Sequence, residues 1–311
     1  MGAKIAIRTT TTRVISQSGF TGAAPTSPDS KCNISIRDPP LEQEVGRGSR
    51  LLKSKLSAAA FVRKSRLIVG LDLTADTPQL IEGRLSATKD ELETRARNII
   101  QQTSDSVVAY KFNRQIVLPL GLFEGTRRLI ESIHEEGLLA IMDCKINDIG
   151  NTNGWITRYY LDAGFDAVIV NPLVGWEGGL DTVFKLVRER KRAVITLCYM
   201  SHPAADEGYG LSVAMDEKKK KHEPLYMTFA RRAISWDADA VIVGATYPDR
   251  IREVRSMLGE DIPILSPGVG AQGGSAREAI DAGASYVIAA RSICNAENTR
   301  SAARELADQT Y

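Results

Sequence analysis

Cysteine is scarce in this sequence: Cys32, Cys144, Cys198 and Cys294 are the four present, none in a Cys-x-x-Cys pair and none near another. That spacing excludes a disulfide framework and a zinc ribbon, and it fits a reducing cytoplasm. Long apolar runs are absent too. A spanning helix needs about 18 or more consecutive apolar residues, and even the run RLIVGLDL is cut by Asp72. A membrane partner is therefore not expected. A charge excess of either sign is also missing, with 40 Lys and Arg against 38 Asp and Glu and a formal net charge of +2. Nucleic acid would need a local basic patch, and no nucleic-acid partner is expected. Histidine is rare, at three, and no His/Cys/Asp cluster has metal-ligand spacing, so the residue pattern does not call for a metal. His134 lies in a surface-like helix and His222 in a charge run, whereas His202 adjoins Ser201 and is a candidate to face a ligand.

What is present divides into two parts. Residues 1–64 are rich in Ser, Thr, Gly and Pro without a sustained period, and no acid precedes Asp29. This reads as a disordered or weakly ordered extension with some features of a transit peptide and no secretory apolar core. Deleting residues 1 to about 60 is expected to leave activity and melting temperature nearly unchanged. From residue 65 to Tyr311 a rhythm sets in. RLIVGLDL, SVVAYKF, LLAIMDCK, AVIVN, AVITLCY, AVIVG, PILSP and YVIAA are short, β-branched runs of strand length, each followed by a stretch with helical spacing. Eight βα units in a stretch near the usual length of about 250 residues define an α/β (β/α)8 TIM barrel. A doubly wound open sheet, the rival architecture, has no need of eight evenly spaced units. The longest interruption follows the fifth strand. There SHPAADEGYGLSVAMDEKKKKHE is of a length often used for a lid, with Lys218–Lys221 as a solvated tip.

In such a barrel the active site lies at the C-terminal strand ends, so polar residues that end apolar runs are the ones to collect. They are Asp72, Lys111, Asp143 with Lys145, Asn171 and Ser201. Strand alternation puts Asp143 and Lys145 on one face, with Asp148 in the following turn. Together with Lys111 and Asp72 they suggest an alternating charge network, in which acidic neighbours keep Lys145 an ammonium and hence a proton donor. Any one of these charges alone would be an ordinary surface residue. Several at equivalent strand ends are not. The second signal is SPGVGAQGG, residues 266–274, after the seventh strand, with Arg291 ending the eighth. Glycine lets backbone amides approach an anion, and phosphate sites after strands seven and eight recur in these barrels.

DCKINDIGNT, AYKFN, GLDL, MSHP and the SPGVGAQGG loop with Arg291 together resemble the orotidine 5′-phosphate decarboxylase family of archaeal type, over about residues 66–311. The resemblance implies decarboxylation of orotidine 5′-monophosphate (OMP) to UMP in pyrimidine synthesis, in the cytoplasm, without cofactor. It implies that Lys145 protonates C6 and that Asp143 lies near the departing carboxylate. Lys111 and Asp72 would contact the ribose, Ser201 the pyrimidine edge, and Gln272 and Arg291 the phosphate, alongside Pro267, Gly268, Val269, Gly270 and Ala290. Asp148 and Thr152 would reach the neighbouring subunit's site, which makes a homodimer with shared sites the working unit. Two departures from the family pattern stand out: Gly150 replaces a proline, which would loosen the turn carrying Asp148, and Ala290 replaces a glycine. A magnesium-dependent sugar-phosphate decarboxylase or aldolase of the same suprafamily is the nearest alternative, although Lys111 puts a cation where such a site wants a carboxylate. A non-catalytic phosphate-binding barrel is the other.

Overall fold

Continuous apolar runs buried on both faces are the mark of parallel strands covered by helices, and the barrel strands follow that rule. In the computed structural model, which describes residues 50–75, 85–216 and 221–311, Leu67–Leu71 (β1), Ala167–Val170 (β4), Ala193–Tyr199 (β5), Ala240–Val243 (β8) and Tyr286–Ala289 (β10) are buried along their whole length. Ala109–Asn113 (β2), Leu139–Ile146 (β3) and Ile264–Val269 (β9) complete the set, and the strands close in the order β1-β10-β9-β8-β5-β4-β3-β2. All pairings in the ring are parallel. This is a (β/α)8 barrel.

Among the described residues, each barrel strand is followed by one helix of an outer ring, besides shorter helical turns. Leu85–Thr103 (α2), Thr126–Glu135 (α3), Gly150–Asp162 (α4), Asp181–Glu189 (α5), Leu225–Ser235 (α6), Pro248–Leu258 (α7), Ala276–Asp281 (α8) and Thr299–Asp308 (α9) form the outer ring. Each buries one stripe. In α3 the stripe is Leu129, Ile130 and Ile133; in α5 it is Val183, Phe184, Leu186 and Val187. Side-chain oxygens cap two of the helices, Ser275 accepting from the Glu278 N–H and Asn298 from the Ser301 N–H.

A further helix precedes the barrel, inside the segment expected to be weakly ordered. Arg50–Arg63 (α1) carries Leu52, Leu56, Ala59 and Ala60 at helical spacing, all buried, with Leu56 wholly inaccessible. Its polar residues hold loops that lead into strands. Lys53 Nζ donates to Glu260 O at 2.8 Å, and Arg63 donates to Ser104 O at 2.7 Å and Glu136 O at 2.8 Å. These carbonyls precede β9, β2 and β3, so α1 covers the N-terminal mouth of the barrel. The segment 50–63 is thus ordered and not a weakly ordered extension, and deletion to residue 60 would remove this cover, so a lower melting temperature is now expected. Residues 1–49, where the rest of the extension falls, lie outside the described residues.

The long segment after β5 has structure of its own. It contains a short helix, Ala205–Tyr209, and an antiparallel pair, Ser212–Asp216 (β6) with Lys221–Pro224 (β7). Lys218, Lys219 and Lys220 lie outside the described residues. Among the described residues no helix is long and apolar enough to cross a membrane. Cys144, Cys198 and Cys294 are buried free thiols.

Candidate active site

A cavity of about 360 Å3 opens at the C-terminal mouth, within the usual ~300–1000 Å3 of small-molecule sites. Its polar wall is built from strand ends, because that is where a buried apolar run must give way to water. Barrel register brings the groups together: Gly70 pairs with Lys111, and Asn113 with Asp143. The β3–β4 register shifts between Met142 and Ile146, and within that irregular stretch Lys145 adopts the left-handed conformation at φ 48°. A side chain held there costs about 1 kcal/mol or more, and such positions cluster at functional sites.

Asp143 is the hub. Lys145 Nζ donates to its Oδ1 at 2.6 Å and Lys111 Nζ to its Oδ2 at 3.0 Å. Burial by itself would raise the Asp143 carboxyl, but the two ammonium groups outweigh it and hold the carboxyl below the ordinary aspartate value. The alternating network expected from the sequence stops short of Asp72, since among the described residues no ion pair joins Lys111 to Asp72. Asn113 stands between them. It accepts a hydrogen bond from Lys111 Nζ and donates to Asp72 Oδ1 at 2.9 Å. Gln115 Nε2 donates to the same oxygen, and Arg291 Nε lies 3.8 Å from Asp72 Oδ2.

The opposite wall carries the glycine-rich loop. Gly268 has φ 101°, and a Cβ there would lie 2.8 Å from Ser201 Cβ, so this backbone position tolerates only glycine. Ser201 is fixed from behind, its carbonyl accepting from Thr246 Oγ1 at 3.0 Å. Pro267, Gly268, Val269 and Gln272 line the cavity, as do Ser201, Ala290 and Arg291. Gly270 does not. Its N–H donates to Gly274 O at 2.9 Å, closing the turn instead of facing the cavity. The helix α8 after the loop has only six residues and its N-cap is occupied by Ser275, which leaves the loop and Arg291 as the candidates for holding an anion.

Asp148 and Thr152 are exposed and outside this cavity. The turn that carries them, which Gly150 was expected to loosen, is braced by side-chain hydrogen bonds. The fully buried Asn153 accepts from the Asp148 N–H at 2.9 Å and donates to Asp148 O and to Gly179 O. A Cβ at residue 150 would stand 3.2 Å from Gly178 O, a tight contact that the glycine avoids. The Ala290 methyl has a counterpart as well: a Cβ on Gly70 would lie 3.0 Å from it, so Gly70 leaves the room that Ala290 fills.

Of the residues not singled out beforehand, Asn113, Arg114 and Gln115 line the cavity. Asn113 could have been found, because it ends the run AYKFN as Asp72 ends another. His202 is exposed and does not line the cavity. His134 pairs with Asp166 at 2.8 Å, and neither lines the cavity.

A parallel barrel with a lysine–carboxylate cluster and a glycine–arginine cradle at one mouth is a barrel enzyme for small phosphorylated substrates. Residues 65–306 match the Orotidine 5'-phosphate decarboxylase / HUMPS family, and the chain belongs to that family. Its relatives include the orotidine 5'-phosphate decarboxylase of Pyrococcus abyssi, 39% identical over 217 residues, which cover 70% of this chain and 93% of that one. The enzyme of the same name from Methanococcoides burtonii is 32% identical, over 79% of this chain and 98% of that one. Among solved structures, orotidine 5'-phosphate decarboxylase from Pyrococcus horikoshii OT3 superposes with a TM-score of 0.61 at 33% identity, covering 78% of this chain and 98% of the other. The Methanocaldococcus jannaschii enzyme complexed with inhibitor BMP gives 0.64 at 25% identity, over 79% and 98%.

Proposed function

We propose that this chain decarboxylates OMP to UMP and carbon dioxide in pyrimidine biosynthesis. The observation that carries the reading is the Lys145–Asp143–Lys111 cluster facing the Gly268 loop and Arg291 across one cavity. Arg291, Gln272 and the loop take the phosphate. Asp72 and Lys111 take the ribose hydroxyls, and Ser201 the pyrimidine edge. The substrate carboxylate then lies near Asp143 and C6 near Lys145.

Loss of carbon dioxide breaks the C6–carboxylate bond and leaves its electron pair on C6, where no conjugated acceptor spreads it. The Lys145 ammonium stabilises that charge and donates a proton to C6, which gives UMP, and the resulting amine is reprotonated from solvent. Because the charge develops only in the transition state, a fixed ammonium lowers the barrier more than it tightens ground-state binding. Asp143 holds that ammonium at 2.6 Å and Lys111 shares the same carboxylate.

The working unit is a homodimer in the cytoplasm. Asp148 and Thr152 lie outside their own chain's cavity, among the exposed apolar side chains Ile149, Trp155 and Tyr159. A second copy covering these would carry both residues to its partner's site. Purified protein mixed with OMP should lose the orotate absorbance, and EDTA should leave the rate unchanged. No turnover would favour a non-catalytic barrel, and loss with EDTA restored by magnesium would favour the metal-dependent branch.

A further inference from the structure

We infer that Asn113 is a positioning residue for the reaction, a neutral clamp that keeps Lys111 and Asp72 apart and aims both at the substrate. The inference rests on the activity proposed above and goes beyond it, since Asn113 is assigned no role there. Partner chemistry fixes the orientation of the carboxamide. An ammonium can only donate and a carboxylate can only accept, so the oxygen faces Lys111 and the amide faces Asp72. Backbone register supports the same placement, because Asn113 pairs with Asp143 and Lys111 with Gly70, the residue two before Asp72.

An ammonium has three protons. One goes to Asp143 and one to Asn113, which leaves a single direction for a ligand hydroxyl. On Asp72, Oδ1 is occupied by Asn113 and Gln115, which leaves Oδ2 on the side of Arg291. Without the carboxamide, Asp72 on its far side becomes a favourable partner for Lys111 besides Asp143. A direct pair between them would draw both away from the ribose and weaken the hold on Asp143. Asn113 is half-buried at the strand end and Gln115 is exposed, so the better-fixed Asn113 sets the geometry.

The test uses the full-length chain with Asn113→Ala, Asn113→Asp, Asp72→Asn and the combination of the last two. Thermal unfolding reads the contact. Asn113→Asp sets two carboxylates against each other, whereas the combination restores a donor facing an acceptor, so it should melt well above the sum of the single effects. Kinetics read the role. Asn113→Ala should lower kcat for OMP by about 10-fold or more, with melting temperature nearly unchanged and KM moved less, a split that a purely structural residue would not produce. Asn113→Ser serves the same purpose where the alanine variant does not fold. Additive melting effects in the combined variant, or a kcat within about twofold of the parent in a folded Asn113→Ala or Asn113→Ser protein, would overturn the inference. The parent is assayed alongside. A parent without turnover would sink the proposed activity alone, because the melting comparison still decides whether the clamp exists.

Discussion

Leu56 on α1 offers a direct test of the division between the two barrel mouths. The side chain has no accessible surface and sits in one core with the barrel strands. Replacing a buried leucine by alanine costs about 2–5 kcal/mol, the transfer of the lost methyl groups plus the cavity they leave. Leu56 belongs at the middle of that range or above, since Lys53 and Arg63 pin its helix on both sides to strand-entry loops and limit collapse into the gap. For a domain of this size each kcal/mol lowers the melting temperature by about 2–4 °C, so Leu56→Ala should melt roughly 7–20 °C below the parent. Because α1 lies at the N-terminal mouth and the cavity at the other, kcat and KM at 25 °C should stay within about twofold. Phe61→Ala on the same helix, where the ring is 77% exposed, should change the melting temperature little. A drop of less than about 2 °C for Leu56→Ala, or equal drops for the two variants, would refute the docking of α1. A loss of kcat as large as the loss of stability would refute the separation of the mouths.

Three further outcomes are expected. Lys145→Ala should remove nearly all turnover while weakening UMP binding much less, whereas Arg291→Ala should mainly raise KM; equal losses of kcat and KM in both would contradict the roles assigned to them. Mixing Lys145→Ala with Asp148→Ala subunits should restore roughly a quarter of parental activity after random exchange, because each mixed dimer holds one intact site, and exchanged mixtures without recovery would exclude Asp148 acting across the interface. Burial pushes the Asp239 carboxyl up to about 6 against the pull of Arg188. A carboxyl raised above its unfolded value stabilises the fold fully below about pH 4, and that contribution is lost as pH rises through about 6. Asp239→Asn should therefore flatten the fall in melting temperature between about pH 4 and pH 7, and an unchanged slope would place the carboxyl elsewhere.

The eight strands and most of the site could be read from sequence for one physical reason. In a closed parallel barrel every strand interior is apolar, so a charge that ends a run has few places to go except the mouth. Asp72, Lys111, Asp143 and Lys145 announce themselves in that way. The helix α1 does not, because its stripe is two leucines and two alanines among lysines, and only the barrel mouth beneath it makes that stripe worth burying. Pairing inside the site was equally hidden. Alternation tells which way Lys111 and Asp143 face, but partners are chosen by register and reach, and register sets Asn113 opposite Asp143.

Neutral residues are the ones that charge-based reading passes over. Asn113 keeps Lys111 from Asp72, and Asn153 ties the Asp148 turn to Gly179 O at 2.9 Å, yet in sequence both look like ordinary turn asparagines. A carboxamide donates and accepts at once, so it can join an ammonium to a carboxylate, or two stretches of backbone, without adding charge. Adding a charge beside the Asp143 cluster would disturb the balance that holds that carboxyl low. A site that depends on a set number of fixed charges must therefore be braced by neutral groups, and strand-end asparagines are where such bracing should be sought.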